Sequence, residues 1–234
     1  MADQSNMQRQ QILKLLKEKS VMKQDVFRNT IQTFGMLRDV CKEVSNDLKS
    51  ELEQVDKRVT INFLEVNQTA MQLKVAGDML EFYMHTNVFE FEKSHPMFKT
   101  GYIKQNEFNS YCGIINIYNF LADSFQFNRL NDLGYLVARI FVNREMKFFI
   151  EAKGSLGLKH NTFSAEPVSK EVLKEIIQDL MIFIISFDLY TPPFDAVREV
   201  SVNEMQEKTS SVSLRTGKRL GYGAGETDPE DLMI

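Results

Sequence analysis

LGYLVARIFVNREMKFFIEAK, residues 133–153, decides the fold. Two runs of alternating apolar residues flank Asn143, Arg144 and Glu145, and side chains on a strand alternate between faces with a period of two. The stretch therefore reads as a β-hairpin. A three-residue turn at those positions pairs Val142 with Met146, Ile140 with Phe148, Ala138 with Ile150 and Leu136 with Ala152, all on one apolar face. The other face carries Tyr135 opposite Lys153, Val137 opposite Glu151, Arg139 opposite Phe149 and Phe141 opposite Lys147. That face is mixed, and is either wet or covered by another part of the chain or by a partner.

Upstream of the hairpin the same period continues. Met71, Leu73 and Val75 alternate with polar residues up to Ala76, Gly77 and Asp78, a tight turn in which glycine supplies a positive φ. Residues 79–84 return, 88–92 (VFEFE) alternate cleanly, and 111–120 and 124–127 read as further strands. Short strands without helical pattern between them predict an antiparallel meander of five to seven strands. After a loop-like stretch at 154–167, Ser169 is placed to cap a helix with Glu171 in its first turn. Val172, Leu173, Ile176, Ile177, Leu180 and Met181 recur at helical spacing, and burying six such side chains contributes roughly 9–18 kcal/mol before opposing terms. Thr191, Pro192 and Pro193 end that helix.

The N-terminal part contains no proline between residues 7 and 58 and is rich in good helix formers. Phe34, Leu37, Cys41, Val44 and Leu48 step by three and four as in a heptad seam, and Leu52, Val55 and Val59 continue it after a one-place shift. The stripe has two readings. It packs on the protein's own sheet, or Phe34, Leu37, Cys41, Val44, Leu48, Leu52 and Val55 form an oligomer or partner interface. A polar break at residues 20–25 marks either two helices or one with a weak point near Ser20.

The fold class expected is α+β: an N-terminal, coiled-coil-like helical arm over 1–60, an antiparallel meander with a C-terminal helix packed on it over 61–190, and a flexible tail over 191–234. A β-barrel capped by one helix is the neighbouring alternative. The 234 residues suffice for such a domain with extensions, and the 43% hydrophobic and 26% charged fractions are those of a globular chain. A net charge of -4 gives no general attraction to nucleic acid or anionic membrane. Two isolated cysteines, Cys41 and Cys112, argue against a disulfide framework. The N-terminus lacks the apolar run of a signal peptide, and the most apolar window, LMIFIISF at 180–187, is too short to span a membrane. A cytoplasmic protein without membrane contact is expected.

Candidate chemistry is sparse. His85, His95 and His160 are scattered and read as structural or surface residues, so neither metal nor cofactor is expected. Cys112 lies within an apolar strand, where an inert thiol is expected. The glycine-rich GKRLGYGAGE at 217–226 lacks phosphate-loop spacing and a preceding strand. Nucleophile-elbow, zinc-protease and paired CxxC patterns are missing, so catalytic residues are not assigned and a non-enzymatic role is favoured, with an enzyme of unrecognised type left open. Two patches remain. On the mixed hairpin face Arg139, Phe141, Lys147, Phe149 and Lys153 interleave cations with aromatics, as single-stranded nucleic-acid binders do. In the tail, Leu232, Met233 and Ile234 follow Asp228, Glu230 and Asp231, a pattern suited to docking on a basic-rimmed apolar surface. The leading expectation is a self-associating subunit or adaptor of a larger assembly with protein partners. A nucleic-acid or nucleotide-binding module is the alternative.

Overall fold

The computed structural model describes residues 2–210 apart from 131, 154, 188–190 and 192; the tail from 211 onward, including Leu232, Met233 and Ile234, lies outside the described residues. The helix-forming N-terminal composition gives one continuous helix. It comprises α1 (Ala2–Leu15), a π-helical turn (Leu16–Ser20) and α2 (Val21–Val55). The π turn, one wide turn inserted into an α-helix, ends at Ser20, where the polar break begins.

Seven strands follow: β1 (Ile61–Asn67), β2 (Ala70–Val75), β3 (Asp78–Met84), β4 (Phe89–Glu90), β5 (Tyr111–Leu121), β6 (Tyr135–Asn143) and β7 (Phe148–Ala152). All pairings are antiparallel and the order is β1-β2-β3-β5-β6-β7, the meander expected. β4 pairs with the start of β5, prolonging the line of β3 after a break at 85–88. Residues 61–67 are the outer strand. The turn joining β2 and β3 has Ala76 at φ 53 beside Gly77.

The hairpin of β6 and β7 forms, but two residues out of the expected register. Val142 pairs with Phe148, Ile140 with Ile150 and Ala138 with Ala152. The turn contains Arg144 through Lys147, and Asn143 organises it. Its Oδ1 accepts from the amides of Glu145 (2.9 Å) and Lys147 (3.1 Å), while its own amide donates to the Lys147 carbonyl (3.0 Å). Met146 takes the left-handed conformation, φ 59, that closes the longer turn. A shift of two preserves the faces, so Ala138, Ile140, Val142, Phe148 and Ile150 are buried together. Near its start β6 bulges against β5 between Ile117 and Tyr118. Below the bulge the faces exchange, so Val137 is buried in the main core and Leu136 is only half-buried, the reverse of the expected pattern.

One face of the sheet carries α2 and α6 (Lys170–Ile185). Ser169 caps α6, its Oγ accepting from the Val172 amide, and Leu173, Ile176, Ile177, Leu180, Met181 and Ile184 are buried. Lys170 pairs with Asp39 and Lys174 with Glu43, each at 2.6 Å, so the two helices run parallel. Helix α2 crosses β5 closely at Gly113, where a Cβ would lie 1.9 Å from Thr30 Oγ1. The resulting core is continuous from Phe34 to Ile184, so α2 belongs to the same unit as the sheet.

The opposite, mixed face is half covered. Segment 85–110, with β4, α3 (Gly101–Gln105) and two 3-10 turns, lies over β5, β6 and β7 and forms a second core of Met97, Ile103, Cys112, Phe141 and Phe149. Residues 124–127 are not a strand. They belong to α4 (Ala122–Gln126) and its exit turn, where Asn128 is at φ 50 and Asp132 accepts from Ser124 Oγ (2.7 Å) and pairs with Arg129 (3.3 Å). Short α5 (Ser155–Lys159) follows β7. After α6, the first part of the expected flexible tail holds α7 (Phe194–Val197) and α8 (Val202–Ser210). Ser201 and Glu204 start α8 by reciprocal side-chain-to-amide bonds of 3.1 and 2.9 Å, a capping box.

Candidate interaction surface

The two edges of the sheet differ. Along β7 the chain closes its own edge: the Ile150 amide donates to the His160 carbonyl (2.7 Å), Ser164 to Phe148 (2.8 Å) and Val168 to Met146 (2.8 Å). Along β1, among the described residues, no strand lies on the outer side. An open row of amides and carbonyls is a template for pairing with another chain, and sheets commonly blunt such edges with lysine or proline. The strand INFLEVN has neither. Leu64 is 58% exposed and Val66 47%, on the face away from α2, and Glu65 is held by Arg38 at 3.2 Å. Beside the strand lies a groove of about 420 Å³ lined by Lys49, Glu53, Lys57, Val59, Ile61 and Asn62, where α2 ends and β1 begins.

The structure divides the heptad stripe. Phe34, Leu37, Cys41 and Val44 are buried against the protein's own sheet and α6, so these four are core residues and not an intermolecular seam. The physical reason is length: the stripe matches the width of the sheet for its first turns and then overruns it. Leu52 is partly buried, Leu48 is at the margin and Val55 is 83% exposed. These three stand next to the β1 edge through the packing of α2 on β1. Leu64 and Val66 were not singled out from the sequence, because edge position becomes visible only once the strand order is known.

The basic and aromatic face is corrected as well. Phe141 and Phe149 stack at 4.6 Å, but they are 3% and 2% exposed, lying beneath Phe91 and Phe163. Their faces are closed to bases. Arg139 lies opposite Glu151, not Phe149, and forms an ion pair with it; His95 Nε2 stands 3.7 Å from the same carboxylate. Lys147 lies over the Tyr102 ring at 4.5 Å and near Glu145, while Lys153 is exposed. A groove of about 390 Å³ remains between Phe89, Phe91, His95, Ile114, Arg139 and Glu151. Within it Arg139 and Glu151 are already paired with each other. His95 Nδ1 accepts from the Met97 amide (3.3 Å), and His85 Nδ1 from Asn87 (3.0 Å), so each histidine anchors a local turn.

Burial pushes both thiols, Cys41 and Cys112, up from their ordinary value, which leaves them poor nucleophiles. Among the described residues no group of three or more His, Cys, Asp or Glu could hold a metal ion, and no helix is long and apolar enough to cross a membrane. The fold and surface thus define an α+β protein with an antiparallel meander that, among the described residues, is closed along β7 and unpaired along β1. Comparison with protein-family models, with curated proteins and with solved structures returned no match.

Proposed function

We propose that this chain is a non-enzymatic interaction protein, a self-associating subunit or adaptor of a cytoplasmic assembly, which joins copies through the outer edge of β1. The observation that supports the reading is the open edge of β1, apolar at Leu64 and Val66 and free of lysine and proline. Antiparallel pairing of two copies centred on Leu64 sets Asn62 across from Val66 and Phe63 across from Glu65, so like charges do not oppose one another. The exposed end of the α2 stripe, Leu48, Leu52 and Val55, then flanks the new ladder on the helical face. Two unpaired cysteines suit the reducing setting of the cytoplasm.

Light scattering on the purified chain tests the reading. The expected mass is that of a dimer or larger closed assembly, and Leu64→Lys with Val66→Lys should return the monomer mass while keeping the far-ultraviolet circular dichroism of the folded chain. A monomeric natural chain, or a double variant of unchanged mass, would refute it. Leu37→Asp is not a test of assembly, because Leu37 is fully buried and an unpaired charge there would destabilise the fold itself.

A further inference from the structure

Ahead of Lys19, no described residue packs beneath the long helix. Every described side chain from Gln4 to Glu18 is exposed, including Ile12 at 57%, Leu15 at 54% and Leu16 at 52%. The body of the protein is first reached near Lys19, which lies over the Tyr111 ring at 5.2 Å, and at Met22, which is buried. The free part, Gln4 to Glu18, extends about 22 Å at about 1.5 Å per residue. A helix of this length is marginal in water when nothing packs on it.

Ile12, Leu15 and Leu16 fall on one side of this helix at spacings of three and four. Arg9 stands a turn before them and Lys19 a turn after, so the apolar strip has basic ends. Residues 1–24 hold five basic side chains, Arg9, Lys14, Lys17, Lys19 and Lys23, against two acidic ones, Asp3 and Glu18, in a chain whose net charge is -4. A second copy of the same helix repels on charge. The occupant must be acidic with a short apolar end. Segment 226–234, ETDPEDLMI, has that chemistry: Glu226, Asp228, Glu230 and Asp231 without a basic residue, then Leu232, Met233 and Ile234. The described chain ends at Ser210, and the sixteen residues 211–226 reach at most about 55 Å when extended, enough to span the free helix.

We infer that segment 226–234 docks on the free N-terminal helix, its carboxylates on Arg9 and Lys19 at the ends of the strip and its apolar residues on Ile12, Leu15 and Leu16. This contact does not depend on the β1 edge, and the same samples report on the two separately.

Amide hydrogen exchange of residues 5–18 in the full chain is the test. With the tail docked, these amides exchange at least tenfold more slowly than in a variant carrying Leu232→Asp, Met233→Asp and Ile234→Asp, and added salt narrows the difference. A charge swap gives the second reading. Arg9→Glu and Lys19→Glu abolish protection, and adding Glu226→Lys, Asp228→Lys, Glu230→Lys and Asp231→Lys restores it. Protection that weakens on dilution assigns the segment to a neighbouring copy; protection independent of concentration assigns it to the same chain. Exchange indifferent to all tail substitutions overturns the inference, as does protection that arises only with anionic phosphatidylserine vesicles and ignores the tail. The variant Leu64→Lys with Val66→Lys changes the scattering mass without changing the protection of a segment docked on its own chain, and the tail variants change the protection without touching the β1 edge, so either idea can fail without the other.

Discussion

At the residue scale the open half of the mixed face contains one misplaced charge. Glu81 of β3 lies in a cross-strand row with Tyr118 on one side and Gln72, then Leu64, on the other. One of its oxygens, Oε2, is shielded from solvent and, among the described residues, without a hydrogen-bond partner. Burial raises the pKa of this carboxyl above its ordinary 4.5, and a hydrogen bond from Gln72 opposes the shift only in part. A raised folded pKa means that folding favours the protonated form. Its stabilising contribution is therefore complete below the unfolded value and is lost as pH rises through the folded one. Glu81→Gln should raise the thermal midpoint at pH 7, with the gain shrinking to nothing below about pH 4.5. Thermal unfolding followed by circular dichroism across that range checks it. A gain that is constant with pH would mean that shape, not charge, is responsible. Nothing in the residue pattern marked this carboxylate, since alternation places Glu81 on an outward face and outward glutamates are ordinarily solvated.

Among elements, the hairpin shows what alternation can and cannot supply. Period two assigned the core face of β6 and β7 from Ala138 onward, and an error of two in the register left that assignment intact. The register itself depended on one side chain. Asn143 is fully buried, accepts from two turn amides and donates through Nδ2 to the Tyr102 hydroxyl at 2.7 Å, which in turn donates to Glu145 at 2.8 Å. Asn29 of α2 closes the arrangement, donating to the carbonyls of Asn143 (3.2 Å) and Arg144 (2.8 Å). An asparagine in a turn invites a tight loop, and only the partners from distant segments reveal the longer one. The bulge at Val137 was equally illegible, because an extra residue changes no local composition. Asn143→Ala leaves buried amides and a hydroxyl without partners, so it should lower the unfolding free energy by about 1–3 kcal/mol. Urea unfolding measures this; a change within about 0.5 kcal/mol, the range of an ordinary surface substitution, would show that the backbone alone holds the turn.

For the molecule as a whole, the sheet separates two cores of unequal size. The class of fold, the meander and the cap and buried face of α6 were legible because each rests on a long periodic pattern. Coverage was not: segment 85–110 shows little periodicity, and nothing in it announces that it shields Phe141 and Phe149. The stripe on α2 was visible as a stripe, yet whether its partner is the chain's own sheet or another chain depends on where the sheet ends. The division of the cores has a dynamic consequence. Cys41 sits in the main core, built from α2, α5, α6 and six strands, whereas Cys112 sits on the other face under Met97, Ile103, Phe141 and Phe149. Small clusters beneath irregular segments open at lower free energy than the core of the sheet. Both thiols should stay silent toward a soluble disulfide reagent in native buffer. As urea is raised, Cys112 should react first, before the circular dichroism transition, and Cys41 only within it. The single-cysteine variants Cys41→Ala and Cys112→Ala separate the two rates. Simultaneous labelling at the main transition would show instead that segment 85–110 and the sheet open as one cooperative unit, and that the second core, despite its size, is as firmly held as the first.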